Sequence, residues 1–330
     1  MHTPLTETLL TRRLGISHPI LLAPMDLVAD ARLAAAVSAA GGMGILGGGY
    51  GDEQWLVREL DLLANLKARF GVGFITWSMA KQPKLLELVL ERKPAAVMLS
   101  FGDPAPFADR IKRSGAALIC QVQSVTLARQ AMAVGADILV AQGTEAGGHG
   151  ASRGLVTLVP ETVDALGPDV PVVAAGGIAD GRGLAAALML GASGVLVGTR
   201  FYASTEAAGA QAAKDRICAA TGDDSVRSIV FDISRSNVWP APFTGRCLRN
   251  EHLDRWYGRE LELMRGLHEE SARFANARKE GNFDIAPVIA GEAAGLVRST
   301  LGVREIVDVM VRDASALLSR GHSQAEPAVA

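Results

Sequence analysis

The strongest constraint on this chain is a rhythm. Short apolar runs rich in Val, Ile and Leu alternate with longer stretches of Ala, Leu and charged residues at helical period, over about 210 residues. Apolar runs of four to six residues suit strands buried on both faces, and a helix between successive strands makes them parallel. The spacing predicts strands over 20–23, 44–46, 72–75, 96–99, 117–122, 138–141, 172–175 and 195–197. It predicts helices over 31–40, 54–70, 84–91, 105–114, 125–134, 160–165 and 184–190. Eight strands with a helix after nearly every one predict an α/β fold, a (β/α)8 barrel. The alternative is an open, doubly wound sheet, but the first strand–helix junction reads APMDLVAD and lacks the GxGxxG fingerprint.

After Phe201 the rhythm stops. Residues 210–220 read as helix, 225–237 as irregular or extended, and VWPAPFTGRCLRN as a proline-punctuated turn region. Residues 250–279 and 303–319 return to helical spacing. The expected organisation is a barrel core over 1–205, with 206–330 adding the last barrel elements and a helical appendage packed on the barrel. One of its helices is expected to close over the catalytic face. The terminal AEPAVA reads as a frayed end.

Charge and composition exclude whole classes of function. A formal net charge of −2 gives no field to recruit nucleic acid or an anionic membrane surface. No apolar run approaches the ~18 to 20 residues of a membrane span. Cys120, Cys218 and Cys247 are far apart and form no CxxC pair, which suits a reducing, cytoplasmic setting. The start, MHTPLTETLLTRRLG, has no continuous apolar segment of a secretory leader. No HExxH, paired histidines or carboxylate cluster points to a metal, and no GxSxG elbow points to acyl transfer.

In a barrel of this kind the chemistry belongs at the C-terminal ends of the strands. The seventh strand runs into AAGGIADGRG and the eighth into VGTRF, so Gly176, Gly177, Gly198 and Thr199 stand at adjacent strand ends. Their backbone N–H groups, beside helix N-termini, form a candidate phosphate site; the plainer alternative is a pair of tight turns. Asp180 is placed to cap the following helix. The sixth strand ends in AQGTEAGGHG, which sets His149 between two glycines at the catalytic face with little local side chain to crowd it. It is a candidate base near neutral pH, or else a loop histidine bonded to Glu145 or backbone. Gln121 and Gln123 share one face of the fifth strand and Gln142 follows the sixth, amides suited to a flat heterocycle or to plain polar capping.

Together, LLAPM, AAAVSAAGGMGILGGG, AQGTEAGGHG and VPVVAAGGIADGRGLAAALMLGASGVLVGTRF resemble the nitronate monooxygenase family. The resemblance spans the barrel, and NFDIAPVIAGEAAGLVR in the tail is similar as well. It implies a TIM barrel with non-covalent FMN. Ala23, Pro24 and Met25 would meet the flavin ring through backbone, Gln121 and Gln142 its polar edge, and Gly147 its face. Gly176, Gly177, Gly198 and Thr199 would take the phosphate, and His149 matches the active-site histidine. Where one class of the family has a second histidine on the fourth strand, this chain has Ser100, a candidate hydrogen-bond donor to substrate. The tail shows no match to that class's tyrosine/lysine set.

The implied activity is oxidation of small alkyl nitronates by O2 to a carbonyl compound and nitrite. An NAD(P)H-dependent flavin reductase of quinones or enoyl thioesters is the alternative, and a non-redox isomerase or lyase using the phosphate site is a third reading. A homodimer is the expected partner arrangement.

Overall fold

The computed structural model describes residues 7–323, so the AEPAVA terminus lies outside the described residues. The barrel strands are β1 (Ile20–Leu22), β2 (Gly44–Gly47), β3 (Phe70–Ile75), β4 (Ala96–Ser100), β5 (Ala117–Val122), β6 (Ile138–Gln142), β8 (Val172–Ala175) and β9 (Gly194–Val197). A short β7 (Gly148–Gly150) lies between the sixth and seventh of these. All eight pair in parallel in the order β1-β9-β8-β6-β5-β4-β3-β2. The ends of that order meet: Leu22 N–H donates to the Met43 carbonyl at 3.0 Å and Met43 N–H to the Ile20 carbonyl at 3.0 Å. The sheet is therefore a closed (β/α)8 barrel, as the alternation requires.

Alternate residues separate two cores. Leu21, Met43, Ile45, Met98, Ile119, Val140, Val173 and Leu196 fill the interior, while Leu22, Leu46, Val72, Val97, Leu118, Leu139 and Val195 face the helices. Leu10 and Leu14, from the helix Leu9–Leu14, join the interior cluster and plug the barrel at its N-terminal end. Gly194 permits that plug, because a Cβ there would lie 2.5 Å from Leu10 Cδ2. The opposite end is left for a cavity.

The ring of helices is completed from far along the chain. The helix Val303–Ser323 packs against both Gly181–Met189 and Ala31–Ala39, so it occupies the eighth helical position. The segment between supplies β10 (Ser225–Ser228) and β11 (Thr244–Leu248), which with β7 make a small antiparallel sheet in the order β10-β11-β7. Behind it Val230, Phe231, Cys247, Leu253, Trp256, Leu263 and Phe274 make a separate apolar cluster. Among the described residues no helix is long and apolar enough to cross a membrane. The three cysteines are unpaired, and burial pushes the Cys120 and Cys247 thiols up to about 12.

Several expectations need correction. The helix expected over 54–70 ends at Asn65, because Lys67 turns left-handed (φ 51°) and Phe70 is needed to pair with Gly44. The helix expected over 160–165 runs Leu155–Leu166 with Pro160 inside it; the Glu145 carboxylate accepts from Leu155 N–H at 3.0 Å, a cap supplied from outside the segment. Residues 225–237, expected to be irregular or extended, are extended only over β10 and then turn into the helix Val230–Ser234. The proline-punctuated turn region contains β11, and the final helix extends past 319 to Ser323.

His252, 1 % exposed, shares Ser234 Oγ through Nε2 at 2.8 Å, and burial lowers its pKa to about 4. Between about pH 6.5 and 4 the unfolded chain therefore binds a proton that the folded chain refuses, and stability falls as pH falls, by at most about 3 kcal/mol. The melting temperature of wild type should drop more steeply between pH 7 and 4.5 than that of His252→Gln; equal slopes would contradict this.

Candidate active site

A cavity of about 350 Å3 opens at the C-terminal ends of the barrel strands. At its floor the chain leaving β1 bends back, Ala23 N–H donating to the Val197 carbonyl at 2.9 Å and Met25 N–H to the Ala23 carbonyl at 2.9 Å. Pro24 lies directly on β3, where a Cβ at Gly73 would sit 2.4 Å from its ring. Ala23, Pro24 and Met25 thus present backbone and small surface to the cavity.

At the other end, β8 and β9 deliver Gly176, Gly177, Gly198 and Thr199 to the same cavity. Gly176 (φ 112°) and Gly177 (φ 70°) adopt a backbone that side chains disfavour. Among the described residues, the N–H groups of these four make no hydrogen bond to protein. That is a cradle of donors suited to an anion. The helix N-terminus beyond it is not part of the cradle, because Asp180 already accepts from Arg182 N–H at 2.9 Å and Gly183 N–H at 3.3 Å. The Thr199 hydroxyl is likewise engaged, accepting from Gly291 N–H at 3.0 Å.

Ser100, the last residue of β4, and Gln121 line the wall between these ends. Neither side chain makes a hydrogen bond within the described residues, so both polar groups remain available. Gln123 does not reach the cavity: its amide donates to Gln142 Oε1 at 2.8 Å, and Gln142 in turn donates to the His149 carbonyl at 2.9 Å. The two glutamines fix the loop that carries the histidine.

That loop is more structured than its glycines imply. As β7 it pairs with β11 in the register Thr244↔Gly150, Gly245↔His149 and Arg246↔Gly148. Two arginines, Arg227 half-buried and Arg246 buried, bind its carbonyls: Arg227 donates to Thr144 at 2.9 Å and Ala146 at 3.2 Å, and Arg246 to Thr144 at 2.9 Å. Burial, with Arg246 nearby, lowers the Arg227 pKa to about 10. The tail docks on the loop as well. Glu292 N–H donates to the Glu145 carbonyl at 3.0 Å, and a Cβ at Gly147 would lie 2.6 Å from Gly291 N. Arg278, Phe283, Pro287 and Ile289 then complete the cavity wall.

His149 is not the uncrowded residue expected from its neighbours. Its Nε2 lies 2.9 Å from Asp232 Oδ2, and its ring stacks on Trp239 with centroids 3.4 Å apart and 5° between planes. It bonds to neither Glu145 nor backbone through its side chain. Asp232 also holds Arg235 at 2.7 Å, and Trp239 donates to the Tyr50 hydroxyl at 3.0 Å. Burial lowers the His149 pKa; Asp232 opposes this while Arg235 and Arg227 add to it. The imidazole is therefore neutral near pH 7. Tyr50, Phe101 and Trp239 form an aromatic wall, with Trp239 in edge contact with both others. Asp232, Arg235, Trp239 and Tyr50 escaped sequence reasoning. The i, i+3 spacing of Asp232 and Arg235 is visible in FDISR, but it names no third partner.

The family model described as "Nitronate monooxygenase" matches residues 7–74 and 64–313. The chain belongs to the nitronate monooxygenase family. Nitronate monooxygenase npaC of Metarhizium robertsii is 36% identical over 331 residues, covering 91% of this chain and 92% of the relative. FabK from Thermotoga maritima superposes with TM-score 0.85 at 30% identity, covering 96% of this chain and 99% of that one. A nitroalkane oxidase from Streptomyces ansochromogenes has TM-score 0.79 at 25% identity, covering 92% and 98%. As a member of the nitronate monooxygenase family the chain is an oxidoreductase of a flavin-dependent class.

The arginine staples generate a test. Arg227→Met strips a donor from the carbonyls of Thr144, Ala146, Gly148 and Thr244 and should cost about 2–4 kcal/mol. Amide exchange over 144–150 should accelerate and the melting temperature should fall; unchanged exchange would show that β7 pairing and Arg246 hold the loop without Arg227.

Proposed function

We propose that the cavity holds FMN and that the chain oxidises small alkyl nitronates with O2 to a carbonyl compound and nitrite. The observation that carries this reading is one cavity, in a member of this family, lined by both the four unpaired N–H groups and His149. Bound FMN supplies the electron transfer from substrate to oxygen, while the protein supplies binding, orientation and electrostatics.

The residues fit that cofactor. Gly176, Gly177, Gly198 and Thr199 offer backbone N–H groups to the phosphate without a cationic side chain. Ala23, Pro24, Met25 and Gly147 flank the ring, and Gln121 brings an uncommitted amide to its polar edge. Gln142, whose oxygen and one N–H are engaged, has one further N–H to give. The Ser100 hydroxyl donates to a nitro oxygen. Neutral His149 orients the substrate, or accepts the α-proton of a neutral nitroalkane. The unpaired cysteines support a cytoplasmic setting.

Oxygen uptake by flavin-loaded protein with ethylnitronate and propionate-3-nitronate tests the activity. Uptake with nitrite release is expected. No uptake, together with anaerobic bleaching of the flavin by NADH or NADPH, would replace this reading with that of a nicotinamide-dependent reductase.

Two substitutions separate binding from turnover. Gly177→Val forces a β-branched side chain into a left-handed backbone (φ 70°) at the phosphate cradle and should lower the flavin content of purified protein at least ten-fold. His149→Ala should keep flavin and lose on the order of a hundred-fold in turnover of neutral nitroalkane. Unchanged flavin in the first, or wild-type turnover in the second, would contradict the assignment.

A further inference from the structure

We propose that Asp232 is the positioning residue for His149, fixing its tautomer so that the Nδ1 lone pair is presented to the substrate. This rests on the reading of His149 as proton acceptor and adds the group that makes it one. In the step concerned, the α C–H bond of a neutral nitroalkane breaks and its proton passes to Nδ1. The electron pair moves onto the nitro group, leaving the nitronate anion.

Residues 149 and 232 are 83 positions apart and meet only because β7 pairs with β11. The Asp232 side chain is 9% exposed, and both of its oxygens are committed, Oδ2 to His149 Nε2 at 2.9 Å and Oδ1 to Arg235 at 2.7 Å. A carboxylate only accepts, so Nε2 carries the proton and Nδ1 the lone pair. Nδ1 makes no hydrogen bond among the described residues, and the ring lines the main cavity. Trp239 stacks on the imidazole face, which opposes rotation of the ring.

Arg235 gives the arrangement its direction. A guanidinium only donates, so the oxygen it holds cannot be exchanged for an N–H. The groups facing the imidazole are Asp232 on the helix Val230–Ser234, Arg235 at that helix's C-terminal end, and Arg227 on β10. Tyr50 faces Arg235 at 3.5 Å and Cys247 on β11 lies near Asp232. Of these, Asp232 supports a positive charge on His149, while burial and both arginines oppose it.

Asp232→Asn tests this with little change of shape. Arg235 retains the single amide oxygen, so the NH2 group faces His149; Nε2 must then accept, and the proton moves to Nδ1. Nitrogen NMR of the imidazole at pH 7 should report an Nε2–H tautomer in wild type and an Nδ1–H tautomer in the variant. The ratio of kcat/KM for nitroethane to that for ethylnitronate should fall at least ten-fold, since only the neutral substrate needs its proton removed. The acidic limb of the nitroethane pH profile should shift to lower pH, and Asp232→Glu should restore part of the ratio. An unchanged tautomer and an unchanged ratio would overturn the proposal. If Asp232→Asn does not fold, the wild-type spectrum decides alone: Nδ1–H at neutral pH overturns it. If wild type turns over neither substrate, the functional reading fails while the spectrum still judges Asp232.

Discussion

The pairing of β7 with β11 is the contact on which the rest of the site depends. A closed barrel positions strand ends, but it does not hold a loop of six residues between β6 and a histidine. Antiparallel pairing with β11 does, and Arg227 and Arg246 reinforce it by taking up the loop's carbonyls. The same pairing brings Asp232, Arg235 and Trp239 to the imidazole. The segment after the barrel strands is therefore part of the cavity wall.

Burial and charge are balanced differently at the two ends of the cavity. At the β8 and β9 ends, positive potential comes from backbone donors alone, which the protein leaves unpaired among the described residues. At the His149 end, charged side chains are present but committed to one another, Arg235 to Asp232 and Asp232 to His149. An enclosed ion pair contributes little net stability, yet breaking it leaves an uncompensated charge. Such a pair suits the fixing of one geometry. The neutral imidazole follows from it, since Asp232 is outweighed by burial and two arginines.

Much of the fold was legible because it depends on period. All eight barrel strands lie where apolar runs fall, and the glycine turns after β8 and β9 follow from residue type. Interactions between distant segments were not legible. Pro160 reads as a helix start, and only the Glu145 carboxylate, ten residues before Leu155, shows why the helix begins earlier. VWPAPFTGRCLRN reads as turns because its prolines dominate locally, whereas β11 exists through its partners β7 and β10. His149 was visible as a lone histidine among glycines. Asp232 was not, because nothing local distinguishes it from any acid on a short helix.

The central claim is that backbone donors at the ends of β8 and β9 and the histidine on β7 serve one bound flavin. A crystal structure of the protein as purified tests it most directly. The account predicts FMN with its phosphate within hydrogen-bond distance of the N–H groups of Gly176, Gly177, Gly198 and Thr199, and its ring in the cavity that His149 lines. A flavin with its phosphate held elsewhere, or a sugar phosphate in its place, would contradict it.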